Sequence, residues 1–491
     1  MRGTGNLKWL VIGLLAAVVV GLAVTLQVRD WMALGAETGG SCGTSSRGTS
    51  SGPCPQNWAT IFVLSLFSLM VFVPLSFYAL FKAGTVGRVA GLLVTAVGIY
   101  PGVVLFDALH GESVEVAWST PSDTVSDAET EGVWTSGDLV VRARFDGLTA
   151  FDSGSGARRW ESPLPGRDVL CGMSRTAAAG IGMIAEQETS TKCSRVSAVD
   201  LATGKNLWSA AIPPAEAATG RDEDRLAVAG DSAVIGTERT LEARGARDGR
   251  LRWRRDPKSE LCRYSWIAGA ADRVVVSERC NAQNGTFTEK LLALDPATGR
   301  ARWSLPVPAV GNANLTLISA DPLVVHVRET DQRGTTSLLA VDAEGRITAT
   351  IPAEAVDVSA VLPSRSIPVH RIAVTEDAVI AVTRTPDSRY QVTAFALAGG
   401  RSLWTTKKGR DSISALVADG PDVLLTTSRF STLKLRVLDP ATGAERGSAT
   451  VPLDRADSRF QLVPAPGALV VVSGSGRNPY HPLQGFPRLK N

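Results

Sequence analysis

Residues 291–303 read Leu-Leu-Ala-Leu-Asp-Pro-Ala-Thr-Gly-Arg-Ala-Arg-Trp, and this stretch decides the fold. The apolar run before Asp295 predicts a strand with a buried face. Asp295 can accept hydrogen bonds from backbone N–H groups two or three residues on, Pro296 fits the next turn position, and Gly299 supplies the positive φ that closes the turn. A second strand then carries Trp303, whose apolar body is expected to fill a gap between sheets while its indole N–H seeks a carbonyl. The unit is a hairpin with a packing plug.

Working outward, the same pattern recurs as Asp152, Gly156 and Trp160, and as Asp200, Gly204 and Trp208. Degenerate copies follow Gly249 to Trp253, Gly345 to Ala349, Gly400 to Trp404, and Asp439 and Gly443 to Gly447. The seven glycines are spaced by 48, 45, 50, 46, 55 and 43 residues. Two further strands precede each hairpin, for example residues 226–228 and 233–235, or lie close before it, as at 138–142 and 378–382. Four strands per unit of about 48 residues is a propeller blade, and the density of Val, Thr and Gly without a 3.6-residue period argues against helical repeats.

Residues 114–119 look like the Trp-bearing strand of a unit whose beginning is missing, with Trp118 placed 42 residues before Trp160. Strands at 460–463 and 468–472, after which no hairpin is expected, supply the missing part. Joining the termini gives eight four-stranded blades and leaves no open sheet edge, with seven as the count if the terminal pieces do not pair. The predicted fold is an all-β propeller over residues 110–491.

These hairpins resemble the PQQ-binding-like β-propeller repeat family, a WD40/YVTN-like architecture, with the match covering about residues 111–475. The resemblance implies the fold and leaves function open, because the family includes quinoprotein dehydrogenases and a lipoprotein that assists outer-membrane barrel assembly.

The first 109 residues are of another kind. Three apolar runs, at about 10–28, 59–81 and 89–106, are each long enough at 1.5 Å per residue to cross a hydrocarbon core of roughly 30 Å. They predict a membrane domain of three transmembrane helices with a Gly/Ser-rich outer loop. A cleaved signal peptide is the competing reading of the first run, which is longer than a signal's apolar region. Arg2 and Lys8 precede the first run, and Lys82 and Arg88 lie between the second and third. The positive-inside rule then places the N-terminus in the cytoplasm and the propeller outside, a multi-pass arrangement in the cell membrane.

Of 51 Lys and Arg and 48 Asp and Glu, residues 1–109 hold six and three, leaving 45 of each sign in residues 110–491. That balance implies no basic face for a nucleic-acid partner beyond what local clustering supplies, and none is expected. All six cysteines fall in segments placed outside, as the couples Cys42 and Cys54, Cys171 and Cys193, Cys262 and Cys280, separated by 12, 22 and 18 positions. Three local disulfides in an oxidising compartment is the expectation, among 15 possible pairings. Without a C-x-x-C and with four scattered histidines, a metal at the cysteines is not expected.

No catalytic constellation emerges. The repeat aspartates Asp152, Asp200, Asp295 and Asp439 are accounted for by turns, and Trp118, Trp160, Trp208, Trp253, Trp303 and Trp404 by packing. Trp134 and Trp266 lie outside the register and are candidates for a surface contact or a core role. In quinoprotein dehydrogenases the resemblance implies a PQQ held by calcium, a carboxylate base and, in some, a disulfide between adjacent cysteines. This chain has no Cys-Cys pair, no D-x-D-x-D calcium loop and little inserted sequence from which to build a pocket. The expected function is a membrane-anchored binding or scaffolding module without a cofactor, partnered by the lipid bilayer and an envelope protein or peptide; a PQQ- and calcium-dependent dehydrogenase is the alternative.

Overall fold

In a computed structural model, the chain is described over residues 3–38, 43–44, 50–51, 57–82, 84–110, 114–123, 129–187, 193–212, 223–281, 285–309, 312–330, 334–354, 356, 371–407, 412–429, 432–451, 453, 460–474 and 481–489. It divides into two compact units. One holds residues 1–115 with the segments 428–435 and 448–457; the other holds the remainder.

In the first unit, α1 (Gly3–Thr38) is longer than the apolar run that predicts it, and α2 (Trp58–Lys82) matches the second run closely. The third run is broken into α3 (Gly84–Val97) and α4 (Ile99–His110). By length and composition the three helical runs are apolar enough to cross a membrane. The backbones meet closely at the break: a Cβ on Gly98 would lie 2.2 Å from the Val18 carbonyl oxygen, and one on Gly21 would lie 1.9 Å from that of Thr95. Small residues let the backbones touch, as helices packed in lipid commonly do.

The second unit contains the propeller except for the segments 428–435 and 448–451 of blade 7. Eight sheets of four strands follow one another along the chain: blades 1 to 7 run over 130–163, 169–211, 226–255, 262–306, 313–352, 372–405, 412–451, and blade 8 over 460–487 with 118–119. In blades 1 to 7 the strands lie in sequence order. Blade 8 is closed by Trp118–Ser119, which pairs with Leu483–Pro487. That third C-terminal strand corrects the expectation that none follows residue 472. Its sequence, Leu-Gln-Gly-Phe-Pro, carries no strong alternation, and it is ordered by its neighbours: Gly485 stands opposite both Trp118 and Val470.

The core is divided among the seams between blades. Trp253 of blade 3 packs with Tyr264, Ile267 and Val276 of blade 4, and Val324 and Leu338 of blade 5 pack with Ile372 and Val379 of blade 6. Alternate residues of each strand thus serve alternate seams, which is why the strands read as apolar on both faces.

Candidate functional site

The repeat residues assemble into one device, used six times. Each Asp accepts hydrogen bonds within its own turn: Asp295 Oδ1 from the N–H groups of Ala297 (3.1 Å) and Thr298 (2.9 Å), Asp439 Oδ1 from Ala441 and Thr442 (both 2.9 Å). Asp200 accepts in the same way from Ala202 and Thr203, and Asp152 from Ser155. The Ser155 hydroxyl and the Arg159 guanidinium hold the Asp152 carboxyl down at about 2. The Asp295 carboxyl is lowered by Arg302 and Thr298, and that of Asp439 by the Thr442 N–H and Arg446.

All seven repeat glycines (Gly156, Gly204, Gly249, Gly299, Gly345, Gly400 and Gly443) have φ between +68° and +82°. Six have a second reason to lack a side chain. The indole of the preceding blade lies on them, so a Cβ on Gly299 would be 2.6 Å from Trp253, and one on Gly345 2.6 Å from Trp303. Each indole N–H donates to the carbonyl one position after the turn's first residue: Trp118 to Ser153, Trp160 to Leu201, Trp208 to Ala246, Trp253 to Pro296, Trp303 to Ala343 and Trp404 to Pro440, at 2.8–3.0 Å. On the neighbouring strand an alanine stands opposite, as Ala293 does to Trp303, beside a β-bulge. These tryptophans are structural, and so is Trp134, buried with its N–H on Ser174 O at 2.7 Å. Trp266 is buried as well, so neither offers the surface contact considered for it.

Two disulfides join Cys171 to Cys193 and Cys262 to Cys280. The Cys42 and Cys54 couple lies outside the described residues. Of the scattered histidines, His326 is buried in blade 5, where burial pushes its imidazole down to about 4.

What the repeat pattern does not disclose is the central channel. The first strand of each blade faces it, and a cavity of about 310 Å³ opens among those of blades 1, 5, 6, 7 and 8. It is lined by apolar residues such as Val133, Ile318, Ile372, Leu416, Leu462 and Val463 and by the polar side chains of Thr135, Ser319 and Gln461, and the surface exposed to it is more polar than apolar. Among the described residues no charged side chain lines it. Beside it, Arg175 of blade 2 reaches across to the Leu317 carbonyl of blade 5 (3.2 Å), while pairing with Asp224 at the start of blade 3 (2.5 and 3.1 Å). That pair is charge-balanced, and neither residue is among those lining the cavity.

PQQ is a tricarboxylate and, with calcium, asks for cationic side chains and carboxylates at one place. Among the described residues the cavity wall supplies neither, so this cavity does not fit that cofactor. Sequence reading could have given the blade phase of these residues, since the first strand of every repeat lines the axis. It carried no signal for Arg175 or for which five blades shape the cavity.

A family model described as outer membrane protein assembly factor BamB matches the chain four times, over residues 101–261, 192–354, 246–406 and 335–478. No curated protein matches it. Among solved structures, BamB from Moraxella catarrhalis is similar at 14% identity, covering 76% of this chain and 100% of that one, with a TM-score of 0.43. The quinohemoprotein alcohol dehydrogenase ADHIIG from Pseudomonas putida HK5 is similar at 12% identity over 77% of each chain, TM-score 0.46. A computationally designed protein, Ika8, is similar at 15% identity, covering 77% of this chain and 100% of that one, TM-score 0.48.

Proposed function

The chain belongs to the PQQ-like repeat family whose model is described as outer membrane protein assembly factor BamB, and from that premise we propose that it is a membrane-anchored, extracytoplasmic propeller acting as a binding or scaffolding module of the cell envelope. Its partner is an envelope protein or peptide, received at the central channel as an uncharged segment. The observation that carries this reading is a cavity of about 310 Å³ whose wall, among the described residues, carries two hydroxyls and one amide, exposes more polar than apolar surface and has no charged side chain. Such a wall suits an uncharged segment that hydrogen-bonds to it, and leaves a calcium-held tricarboxylate without ligands.

The propeller lies outside and the N-terminus inside in this reading. Support comes from Lys82 and Arg88, whose charges sit over the rings of Tyr78 (5.8 Å) and Phe81 (4.0 Å) at the α2–α3 turn, and from the two disulfides of the propeller.

A photo-crosslinking residue at Gln461 tests it in intact membranes, with one at the exposed Arg158 as control. A specific envelope adduct from position 461 and none from 158 is expected. Adducts from both positions alike, or oxidation of an alcohol or aldose by the purified chain supplied with PQQ and calcium, would overturn the reading.

A further inference from the structure

The two disulfides differ in their surroundings. Cys262 stands directly opposite Cys280 on adjacent strands of blade 4, and two residues along, on the same face, Tyr264 stands opposite Glu278. The ligand atoms of Cys262, Glu278 and Cys280 all lie within 4.8 Å of one another. Glu278 is 1% exposed, and neither of its oxygens has a hydrogen-bond partner; its nearest cation is Lys290 Nζ, at 4.0 Å. A buried carboxylate without hydrogen bonds is costly unless a proton or a closely bound cation neutralises it. Around Cys171 and Cys193 no carboxylate comes within that reach among the described residues. The nearby Glu186 is engaged by Arg195 and Ser197.

We propose that Cys262, Glu278 and Cys280 form a redox-gated site for a zinc-type divalent cation, closed while the disulfide stands and opened by its reduction. An external dithiol supplies the two electrons and two protons: its thiolate attacks the half-buried Cys280 sulfur, the Cys262 sulfur leaves and is protonated, and the dithiol's second sulfur resolves the mixed disulfide. The products are two protein thiols and one oxidised dithiol. Cation binding then releases both thiol protons, giving two thiolates and a carboxylate, a donor set suited to zinc. The charges close: three negative ligands are met by two positive charges on the ion and one on Lys290. Water takes the fourth position. The sequence hid the site because its ligands come from two strands and 18 positions separate the cysteines.

The full chain in detergent, titrated with cobalt(II) as the probe, tests this. The reduced protein is expected to bind one ion with a thiolate-to-cobalt charge-transfer band, and the oxidised protein none. E278Q keeps the disulfide and should weaken binding at least about tenfold, since loss even of an outer-shell partner costs that much. A variant with serine at positions 42, 54, 171 and 193 should bind as the parent does, which assigns the band to the remaining pair. Absence of the band in the reduced parent, its presence at full affinity in E278Q, or its loss from the four-serine variant with the fold intact by circular dichroism would each overturn the proposal.

Discussion

The seam between blades 3 and 4 and the seam between blades 5 and 6 solve one problem in two ways. At the first, Trp253 lies on Gly299 and donates to Pro296 O at 2.9 Å. At the second, Ala349 holds the tryptophan position, the turn comes closer, and the backbone does the joining: the Gly399 N–H donates to Thr348 O at 2.9 Å. A Cβ on Gly400 would meet nothing nearer than 3.3 Å. The Asp is missing there too, Ala396 standing in its place. The aspartate varies independently of the plug, since at the seam between blades 2 and 3 Gly245 stands in its place and Trp208 still lies on Gly249. Where the plug is lost, a direct peptide hydrogen bond substitutes, and the glycine is kept only for its φ of +70°.

The comparison breaks most sharply at the plug itself. W253A removes a tryptophan that is 9% exposed and should cost about 3–5 kcal/mol, read as a lowered thermal midpoint of the detergent-solubilised chain. Trp303 is only partly buried, so W303A should cost less, about 2–3 kcal/mol, below what a fully buried site would imply. Equal midpoints for the two variants would contradict this ordering.

At the turns, G299A combines a strained φ with a methyl group pressed into the indole and should cost about 2–3 kcal/mol, whereas G400A meets only the strain, about 1 kcal/mol. If the two alanine variants melted together, the indole contact would not be what fixes Gly299.

Acid gives the smallest contrast. Asp152 has its carboxyl lowered to about 2, and those of Asp295, Asp342 and Asp439 are lowered too. A carboxyl lowered in the folded state contributes stability above its unfolded value of about 3.9, and loses it as pH falls towards the folded value. Hydrogen exchange between about pH 4 and 2 should therefore deprotect the turns at 153–156 and 296–299 while the turn at 397–400, without an Asp, is unmoved once intrinsic rates are corrected. Parallel loss at all three would sink the assignment.

Much of this was legible in the sequence because it is local. The Asp, Gly and Trp of 295, 299 and 303 lie within nine residues, and their spacing follows from the turn they make. The alanine opposite each tryptophan was also in plain view, at Ala150, Ala198 and Ala293, but its meaning needed the bulge that sets it beneath the ring. Residues 483–487 were missed because their pairing partners are Trp118, more than 360 positions away, and the strand at 468–473. Trp134 and Trp266 fell outside the repeat and were open to a surface role. They are buried because first strands pack against neighbouring blades as well as facing the channel.

By itself the sequence determined the apolar helical runs, the number of blades, the order of strands within a blade and the chemistry of each turn, since all of these repeat with a period that short-range sterics and hydrogen bonding impose. Only the tertiary structure decided which residues meet across the ring. Arg175 reaches Leu317 from 142 positions away, and Glu278 stands beside a disulfide whose halves lie on different strands. Such meetings depend on how eight sheets close around an axis, and no local pattern records that closure.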